Sequence, residues 1–287
     1  MAIRLQDWLS RATQALAPVA EQPRSEARRL VEAALDWPVA SQLADPDQII
    51  DTASREALDA LLHRRAERQE PLSRILGRRE FWGLSLEIEG ATLDPRPDTE
   101  TLVEQALDLF SGPERSPPLQ ILDLGTGSGA LLLALLSEYP EAQGLGVDQD
   151  SDTLATATRN AARLGLGGRA RFEVSDWLSE VSGRFDLIVS NPPYIPTEDL
   201  AGLDRAVRDF DDPLALDGGS DGLAFYARTL REAGRCLAPG GVLILELGIG
   251  QADSVQALGR DSPPSPPALL EDVAIAEHLR RRPYQRR

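Results

Sequence analysis

The sequence predicts an α/β protein, with a parallel sheet in its larger part and a helical region before it. Three observations carry this prediction. From residue 119 onward, short apolar runs alternate with segments that have the periodicity of amphipathic helices. A glycine-rich turn joins the first apolar run to the first of these helices. Residues 1 to about 72 show helical periodicity alone.

The chain is predicted to divide into a helical domain over residues 1–72, a β-hairpin linker over 73–95 and the α/β domain over 96–287. In the linker, Phe81 to Ile88 alternates as a strand does, and Glu89-Gly90 is a turn signal. The helical domain carries no catalytic constellation, so we interpret it as a small bundle, a docking module for a macromolecular partner, or both.

The order of strands and helices in the α/β domain follows from the apolar runs and the turn residues between them. The predicted strands are 119–124, 142–147, 170–174, 185–189, 242–247 and 269–275, and the predicted helices are 99–110, 130–138, 152–164 and 222–237. Residues 196–222 hold eight acids against two arginines. We interpret this charged run as a solvated segment that could cover a site.

Composition excludes several classes of function. The 287 residues carry a formal net charge of −16, and every basic residue is an arginine. Without lysine, Schiff-base chemistry and a nucleotide P-loop are excluded. An acidic chain repels phosphate backbones, so we expect no direct nucleic-acid binding. One cysteine and two distant histidines predict neither an internal disulfide nor a metal site, and the lack of a run of about 18 apolar residues predicts a cytoplasmic protein without membrane contact.

The most informative stretch is Asn191-Pro192-Pro193-Tyr194, which follows a buried strand. The carboxyl end of such a strand is where open α/β sheets bind ligands. Asn191 Oδ1 and the Pro192 carbonyl are two acceptors that could hold both N–H groups of a planar –NH2, and we predict these two residues as catalytic. Tyr194 offers an aromatic face, so Asn191 to Tyr194 form the predicted substrate site. A proline turn with an incidental tyrosine is the alternative, and the preceding strand disfavours it.

A second predicted site is the glycine loop Gly125, Thr126, Gly127, Ser128, Gly129, which follows one strand and opens a helix. Glycines let the backbone turn tightly and let a ligand approach it. Asp148 lies 23 residues beyond Gly125, at the end of the next strand, where it could accept ribose hydroxyls or cap a helix. The loop alone fits a nicotinamide cofactor and S-adenosylmethionine equally.

Asp176 and Trp177 follow the third strand of the α/β domain. Trp177 could stack on adenine and Asp176 could accept from its amino group, although a buried core tryptophan is an equally ordinary explanation. Because Asn191 and its prolines suit nitrogen methylation and serve no evident role in hydride transfer, we predict S-adenosylmethionine as the cofactor.

These motifs resemble those of the release-factor glutamine methyltransferases, the HemK/PrmC family of class I S-adenosylmethionine-dependent methyltransferases. The matching stretches are Ile75 to Gly77, Glu80 to Gly83, Pro95 to Glu100, Ile121 to Gly129, Ser175 to Trp177, Val189 to Ile195, Ala215 to Leu223 and Leu245 to Gly248. The residues just after Gly248, and those after Ser262, match the family pattern less well.

The resemblance implies a seven-stranded Rossmann-like sheet and an N-terminal helical domain that docks a peptide-chain release factor. It implies methylation of the glutamine side-chain nitrogen in the release factor's Gly-Gly-Gln motif. It also implies that Gly125 to Gly129, Asp148, Trp177 and Asn191 contact S-adenosylmethionine and that Asn191 to Tyr194 hold the glutamine. The roles of Arg96 and Asp98 stay open, since acids and Pro97 also suit a helix start.

Three other functions stay open at this point. An adenine or cytosine amino-methyltransferase would share the Asn191 to Tyr194 motif but needs a basic face, which the sequence does not show. A nicotinamide dehydrogenase would share the glycine loop. A non-catalytic binder of translation factors would form the same complex without transferring a methyl group.

Overall fold

The computed structural model describes residues 2–90, 92–111, 116–261 and 273–277. The described residues form two compact units. The first contains the N-terminal residues to Arg78 together with Asp204–Phe210, and the second contains the remainder. The grouping of 204–210 with the first unit differs from the predicted division, because a contact between segments distant in sequence leaves no local signal.

The first unit is mostly helical. Its helices are α1 (Leu5–Leu16), α2 (Pro23–Leu35), α3 (Val39–Ala44), α4 (Thr52–Ala66) and α5 (Leu72–Leu76). The side chains of Leu5, Trp8, Leu30 and Leu58 are fully buried between the longer helices. Sequence periodicity missed two short strands, β1 (Ile3–Arg4) and β2 (Ile49–Ile50), which pair antiparallel. Strands of two residues are too short to show a period.

The second unit contains a parallel sheet. In the described residues its strands are β5 (Gln120–Leu124), β6 (Gln143–Asp148), β7 (Ala170–Val174), β8 (Phe185–Ser190), β9 (Leu237–Leu247) and β10 (Val273–Glu277). Their order is β10-β9-β8-β5-β6-β7 and every pair is parallel. The helices beside it are α6 (Glu100–Phe110), α7 (Ala130–Glu138), α8 (Ser151–Arg163), α10 (Ala224–Glu232) and α11 (Ala252–Asp261), whereas α9 (Arg205–Arg208) belongs to the first unit.

The strand order reverses between β5 and β8. From β5 the chain runs outward through β6 and β7, and it then returns to the other side of β5 as β8. A crevice opens at the carboxyl ends of the two strands that flank such a switch point. The last residues of these strands, Leu124 and Ser190, are register partners, and the Ser190 hydroxyl donates to the Leu124 carbonyl at 2.7 Å. The switch point therefore brings the glycine loop beside Asn191.

Apolar layers cover both faces of the sheet. One layer includes α6 and α7, and the seven residues from Ala130 to Leu136 are all buried. The other includes Trp177, Tyr226 and Val255. Burial on both faces explains why the strands read as continuous apolar runs rather than as alternating ones. Within the described ranges, no helix combines the length and apolar character needed to span a membrane.

Two predicted details differ from the structure. The hairpin consists of β3 (Arg78–Phe81) and β4 (Leu84–Glu87), and its turn lies at Trp82-Gly83 rather than at Glu89-Gly90. Both turn residues have positive φ, 51° and 73°, as two-residue hairpin turns require. β9 also begins five residues before the predicted strand, since the chain from Leu237 already pairs with β8 at Phe185.

The predicted count of seven strands stays a prediction, since the described residues contain six in this sheet. The predicted strand 269–275 overlaps β10, and its first four residues lie outside the described part of the chain.

Candidate active site at the carboxyl edge of the sheet

A cavity of about 650 Å³ lies at the carboxyl ends of β5 to β8. This volume is within the range of pockets that hold small molecules and cofactors. Its lining combines glycines, carboxylates, aromatic rings and apolar side chains: Leu93, Gly125, Gly127, Val147, Asp148, Gln149, Asp150, Asp152, Thr153, Ser175, Asp176, Trp177, Asn191, Pro193, Asp212, Leu214, Ala215 and Phe225. Both motifs that the sequence singled out thus reach one cavity.

The glycine loop turns sharply from β5 into α7. Gly125 and Gly127 line the cavity with φ of 69° and 56°, a conformation that favours glycine. The other three predicted loop residues lie away from the cavity wall. Gly129 is held close to Ala157, which a Cβ on residue 129 would meet at 3.2 Å. Thr126 and Ser128 are buried, so within the described residues the loop presents mainly its glycine backbone.

Asp148 joins the loop to the end of β6. One carboxylate oxygen accepts the Gly127 N–H at 3.1 Å, and the other accepts the Asp150 N–H at 3.2 Å. Burial raises the pKa of Asp148, and these N–H donors oppose the shift. Each carboxylate oxygen has a second lone pair, so Asp148 keeps the capacity to accept hydroxyl groups from a ligand in the cavity.

Asp123 lies at the root of the same loop and does not line the cavity. Its carboxylate is 2% exposed and accepts the Thr126 hydroxyl at 2.7 Å. Burial raises the pKa of Asp123 to about 7, which the hydrogen bond from Thr126 only partly opposes. The hydrogen bond from Thr126 to Asp123 therefore ties the glycine loop to β5.

Trp177 is both a cavity wall and a buried side chain. It is 8% exposed, and its indole N–H donates to the Thr229 hydroxyl at 2.5 Å. Its ring centre lies 4.8 Å from that of Phe225. These contacts fix the indole against the cavity, where a flat heterocycle could lie against it.

Asp176 lines the cavity, but its carboxylate is already engaged. Arg228 donates to both of its oxygens, at 2.8 and 3.1 Å, and also to its main-chain carbonyl. This arginine lowers the pKa of Asp176 and keeps it ionised. A role as acceptor for an adenine amino group stays a prediction, and it would share the carboxylate with Arg228.

One face of α10 holds this part of the site. The helical i, i+3, i+4 spacing places Phe225, Arg228 and Thr229 on this face. Phe225 and Thr229 contact Trp177, and Arg228 pairs with Asp176. No sequence motif had singled out any of the three residues. The amphipathic pattern of α10 was a signal that this face packs on the sheet, but it could not tell which side chains would reach the cavity.

Asn191 presents its side-chain amide at the cavity. Its Nδ2 donates to the Thr99 hydroxyl at 3.0 Å, and Oδ1 is at the other end of the same planar amide. Within the described part of the chain, neither Asn191 Oδ1 nor the Pro192 carbonyl accepts a hydrogen bond. Backbone carbonyls in folded proteins are nearly always paired, so the Pro192 carbonyl is an exception among the described residues.

The rest of the motif forms the wall behind these oxygens. Pro193 lines the cavity, whereas Pro192 is buried and Tyr194 is not among the lining residues. Burial raises the pKa of Tyr194 to about 12, and the negative charge of nearby Glu246 adds to the shift. Tyr194 is therefore a neutral phenol at physiological pH and not a base.

Gln251 braces the motif from the end of β9. Its Nε2 donates to the Tyr194 carbonyl at 2.9 Å, and its Oε1 accepts the Gly248 N–H at 3.0 Å. Gly222 and Gly248 leave room for it, because a Cβ at either position would lie 2.7 Å from the Gln251 amide. Gln251 lies in the stretch after Gly248 that matched the family pattern less well, and sequence reasoning did not single it out.

The turn from Pro95 to Glu100 supports several parts of the second unit. The Arg96 guanidinium pairs with the buried Asp211 at 2.7 Å. Thr99 accepts from Asn191, and a Glu100 carboxylate oxygen accepts the Trp82 N–H of the hairpin turn at 2.8 Å. Arg96, whose role the sequence left open, therefore anchors the acidic segment that follows Ile195. Asp98 contributes negative charge near Tyr194.

Comparison with known proteins gives a consistent result over both units. Residues 7–77 match the family described as the PrmC N-terminal domain, and residues 116–259 match the family described as a methyltransferase domain. A release factor glutamine methyltransferase from Rhodospirillum rubrum is 49% identical over 238 residues, which cover 83% of this chain and 72% of that protein. Proteins of the same name from Bradyrhizobium diazoefficiens and Escherichia coli are 45% and 40% identical, over 83% and 88% of this chain and 80% and 88% of theirs.

The chain belongs to the release factor glutamine methyltransferase family. It is accordingly an S-adenosylmethionine-dependent methyltransferase, as the sequence predicted. The cavity fits this cofactor in three respects: it has a backbone-lined glycine loop, a partly buried carboxylate at Asp148, and the aromatic pair of Trp177 and Phe225. In the part of the chain that the structure describes, no group of histidine, cysteine or acidic residues could hold a metal ion.

Proposed function

We propose that this methyltransferase transfers a methyl group from S-adenosylmethionine to the side-chain nitrogen of the glutamine in the Gly-Gly-Gln motif of peptide-chain release factors. The observation that carries the proposal is a pair of acceptors on adjacent residues, Asn191 Oδ1 and the Pro192 carbonyl, which accept no hydrogen bond within the described residues. Asn191 lines the cavity at the switch point, and Pro192 directly follows it. Two acceptors on adjacent residues match the two N–H groups of a carboxamide.

In this proposal, Asn191 and Pro192 do the positioning. An amide nitrogen is a weak nucleophile because its lone pair is delocalised into the carbonyl group. Accepting both N–H bonds orients the nitrogen and draws electron density towards it. Most of the acceleration then comes from orientation and from dipoles fixed before the reaction. S-adenosylmethionine supplies an electrophilic methyl group on a positively charged sulfur.

The cofactor is held by chain groups at the other end of the cavity. We assign the backbone at Gly125 and Gly127 to close contact with it, the Asp148 carboxylate to the ribose hydroxyls, and Trp177 to the adenine ring. The Asp148 carboxylate also favours a cationic ligand, whereas the charge of Asp176 is balanced by Arg228. Thr126, Ser128 and Gly129 shape the loop in this scheme, and Asn191 contributes to both ligands.

No side chain of the motif has to act as a strong base. Tyr194 has a pKa of about 12 and cannot accept a proton at neutral pH. The methylated nitrogen loses a proton to solvent after transfer, because a protonated amide is a strong acid. The two acceptors only need to hold the N–H groups until then.

Family membership disfavours the adenine or cytosine alternative. The net charge of −16 supports the same choice, since a nucleic-acid methyltransferase needs a basic face. We therefore expect a protein substrate, with docking through the helical first unit and no direct nucleic-acid contact.

The test is mass spectrometry of a purified release factor after incubation with the enzyme and S-adenosylmethionine. We expect a gain of one methyl group on the peptide that contains Gly-Gly-Gln, located on the glutamine by fragmentation. A release factor with that glutamine replaced by alanine is the matched control and should gain nothing. Methylation at another residue, or of duplex DNA but not of the release factor, would refute the proposal.

The Asn191→Ala variant tests the assigned mechanism. Deletion of one fixed donor or acceptor at a reaction centre typically lowers turnover by about 100- to 1000-fold, and we expect a loss of this size. Cofactor affinity, measured by calorimetry with S-adenosylhomocysteine, should fall much less. Turnover close to that of the wild type would show that Asn191 does not hold the substrate amide.

A further inference from the structure

The orientation of the Asn191 amide decides whether the site attracts or repels its substrate. The two ends of a carboxamide have nearly the same shape, but one accepts hydrogen bonds and the other donates them. If the amide turned by half a revolution about its last bond, Nδ2 would face the substrate –NH2 and no hydrogen bond could form. Something in the protein has to hold the amide plane and satisfy Nδ2.

Thr99 is placed to do so. Its hydroxyl oxygen lies 3.0 Å from Asn191 Nδ2, across 92 residues of sequence, and Thr99 is 6% exposed. It ends a short 3₁₀ turn, Pro97–Thr99, that leads directly into α6. The contact is partly buried, and Asn191 Nδ2 donates to a side chain there.

The turn that carries Thr99 is held on both sides. Before it, Arg96 pairs with the buried Asp211 at 2.7 Å. After it, Glu100 accepts the Trp82 backbone N–H at 2.8 Å. Pro97 restricts the backbone at the start of the turn. These contacts hold the turn from which the Thr99 hydroxyl reaches the Asn191 amide.

We propose that Thr99 is a positioning residue for methyl transfer, which holds the Asn191 carboxamide so that Oδ1 faces the substrate nitrogen. The inference rests on the proposed function and deepens it. Because a hydroxyl can donate as well as accept, Thr99 could pair with either end of the Asn191 amide. Its hydrogen bond therefore holds the plane of the amide. The two N–H groups of the substrate favour the orientation in which Oδ1 faces them. Thr99 touches neither the substrate nor the cofactor in this role.

The matched pair Thr99→Val and Thr99→Ser tests the proposal. Valine keeps the branched shape and removes the acceptor, whereas serine keeps the hydroxyl and removes a methyl group. For Thr99→Val we expect kcat to fall by at least tenfold, with KM for the release factor and the dissociation constant of S-adenosylhomocysteine within about threefold of wild type. For Thr99→Ser we expect kcat within about threefold of wild type.

A double-mutant cycle with Asn191→Ala distinguishes an effect that acts through Asn191 from a general structural effect of Thr99→Val. If Thr99 acts through Asn191, Thr99→Val should change the residual rate by less than about twofold when Asn191 is already alanine. An equal loss in both backgrounds would overturn the positioning role, and so would a Thr99→Ser variant as slow as Thr99→Val.

The wild-type reaction separates this proposal from the proposed function. If the wild-type enzyme leaves the release factor unmethylated, the function itself is wrong, and the proposal falls with it. If the wild type methylates the glutamine and Thr99→Val does so at the same rate, only the positioning role is overturned.

Discussion

The buried carboxylate of Asp123 should make the stability of this protein fall as pH rises. Its folded-state pKa is about 7, against 3.8 for the exposed group, because burial disfavours the charged form. The folded state therefore holds a proton that the unfolded chain releases, and stability is lost between these two pKa values. Asp123→Asn removes the titration, while the asparagine side-chain oxygen can still accept the Thr126 hydroxyl.

The magnitude follows from the shift. About 3 pKa units correspond to a total of roughly 4 kcal/mol, since one unit is worth 1.36 kcal/mol. Roughly 1.5 kcal/mol of this is already lost at pH 5, so about 3 kcal/mol remains to be lost between pH 5 and pH 8. Over that range, the free energy of unfolding of the wild type should fall by about this amount relative to that of Asp123→Asn.

The assay is urea unfolding of both proteins at pH 5, 6, 7 and 8, followed by circular dichroism. Only the difference between the two proteins reports on Asp123. Both proteins contain acids with lowered pKa values, such as Asp150 and Asp176, and the stability that these acids contribute is lost as pH falls. Glu141→Gln, at an exposed position of the second unit, is the control and should follow the wild type. A difference that stays constant within about 0.5 kcal/mol from pH 5 to pH 8 would refute the assignment.

Two further predictions concern packing and the brace at Gln251. Gly146→Ala should lower the free energy of unfolding by about 1–3 kcal/mol in urea titrations, because the new Cβ would lie 2.7 Å from the Thr126 hydroxyl and 2.8 Å from Phe172. Gly168→Ala, which meets nothing within 4 Å, should change it by less than about 0.5 kcal/mol, and equal effects of the two would contradict the argument. Gln251→Glu replaces the Nε2 donor to the Tyr194 carbonyl by an oxygen. Release-factor methylation assays should therefore show turnover about tenfold lower, with cofactor affinity nearly unchanged. Turnover equal to that of the wild type would show that the hydrogen bond from Gln251 has no role in the reaction.

Local pattern predicted the parts of the fold that depend on local physics. The five strands from β5 to β9 were found because strands buried on both faces are runs of apolar residues between turns. The glycine loop and Asn191 were both placed at carboxyl ends of strands, and the parallel sheet then brought them to one edge. The hairpin turn was misplaced because Trp82 has a positive φ that its residue type does not suggest.

Contacts between distant segments could not be predicted in the same way. Three hydrogen bonds at the site join residues that are 92, 52 and 57 positions apart. They are Asn191 to Thr99, Arg228 to Asp176 and Gln251 to Tyr194. No period in the sequence relates such positions, and each residue type also has an ordinary surface or helix-start role. The predicted substrate motif and cofactor loop were therefore visible, but the groups that orient them were not.

The sequence by itself determined the fold class, the family and the two stretches of chain that meet at the cavity. It could do so because backbone constraints from glycine and proline, and the periodicity of burial, act over a few neighbouring residues. The tertiary structure alone decided how the Asn191 amide is held, which acids are buried and which are paired. Those properties depend on packing between elements, since the position of a side chain relative to its hydrogen-bond partners is fixed only when the sheet and its helices close around it.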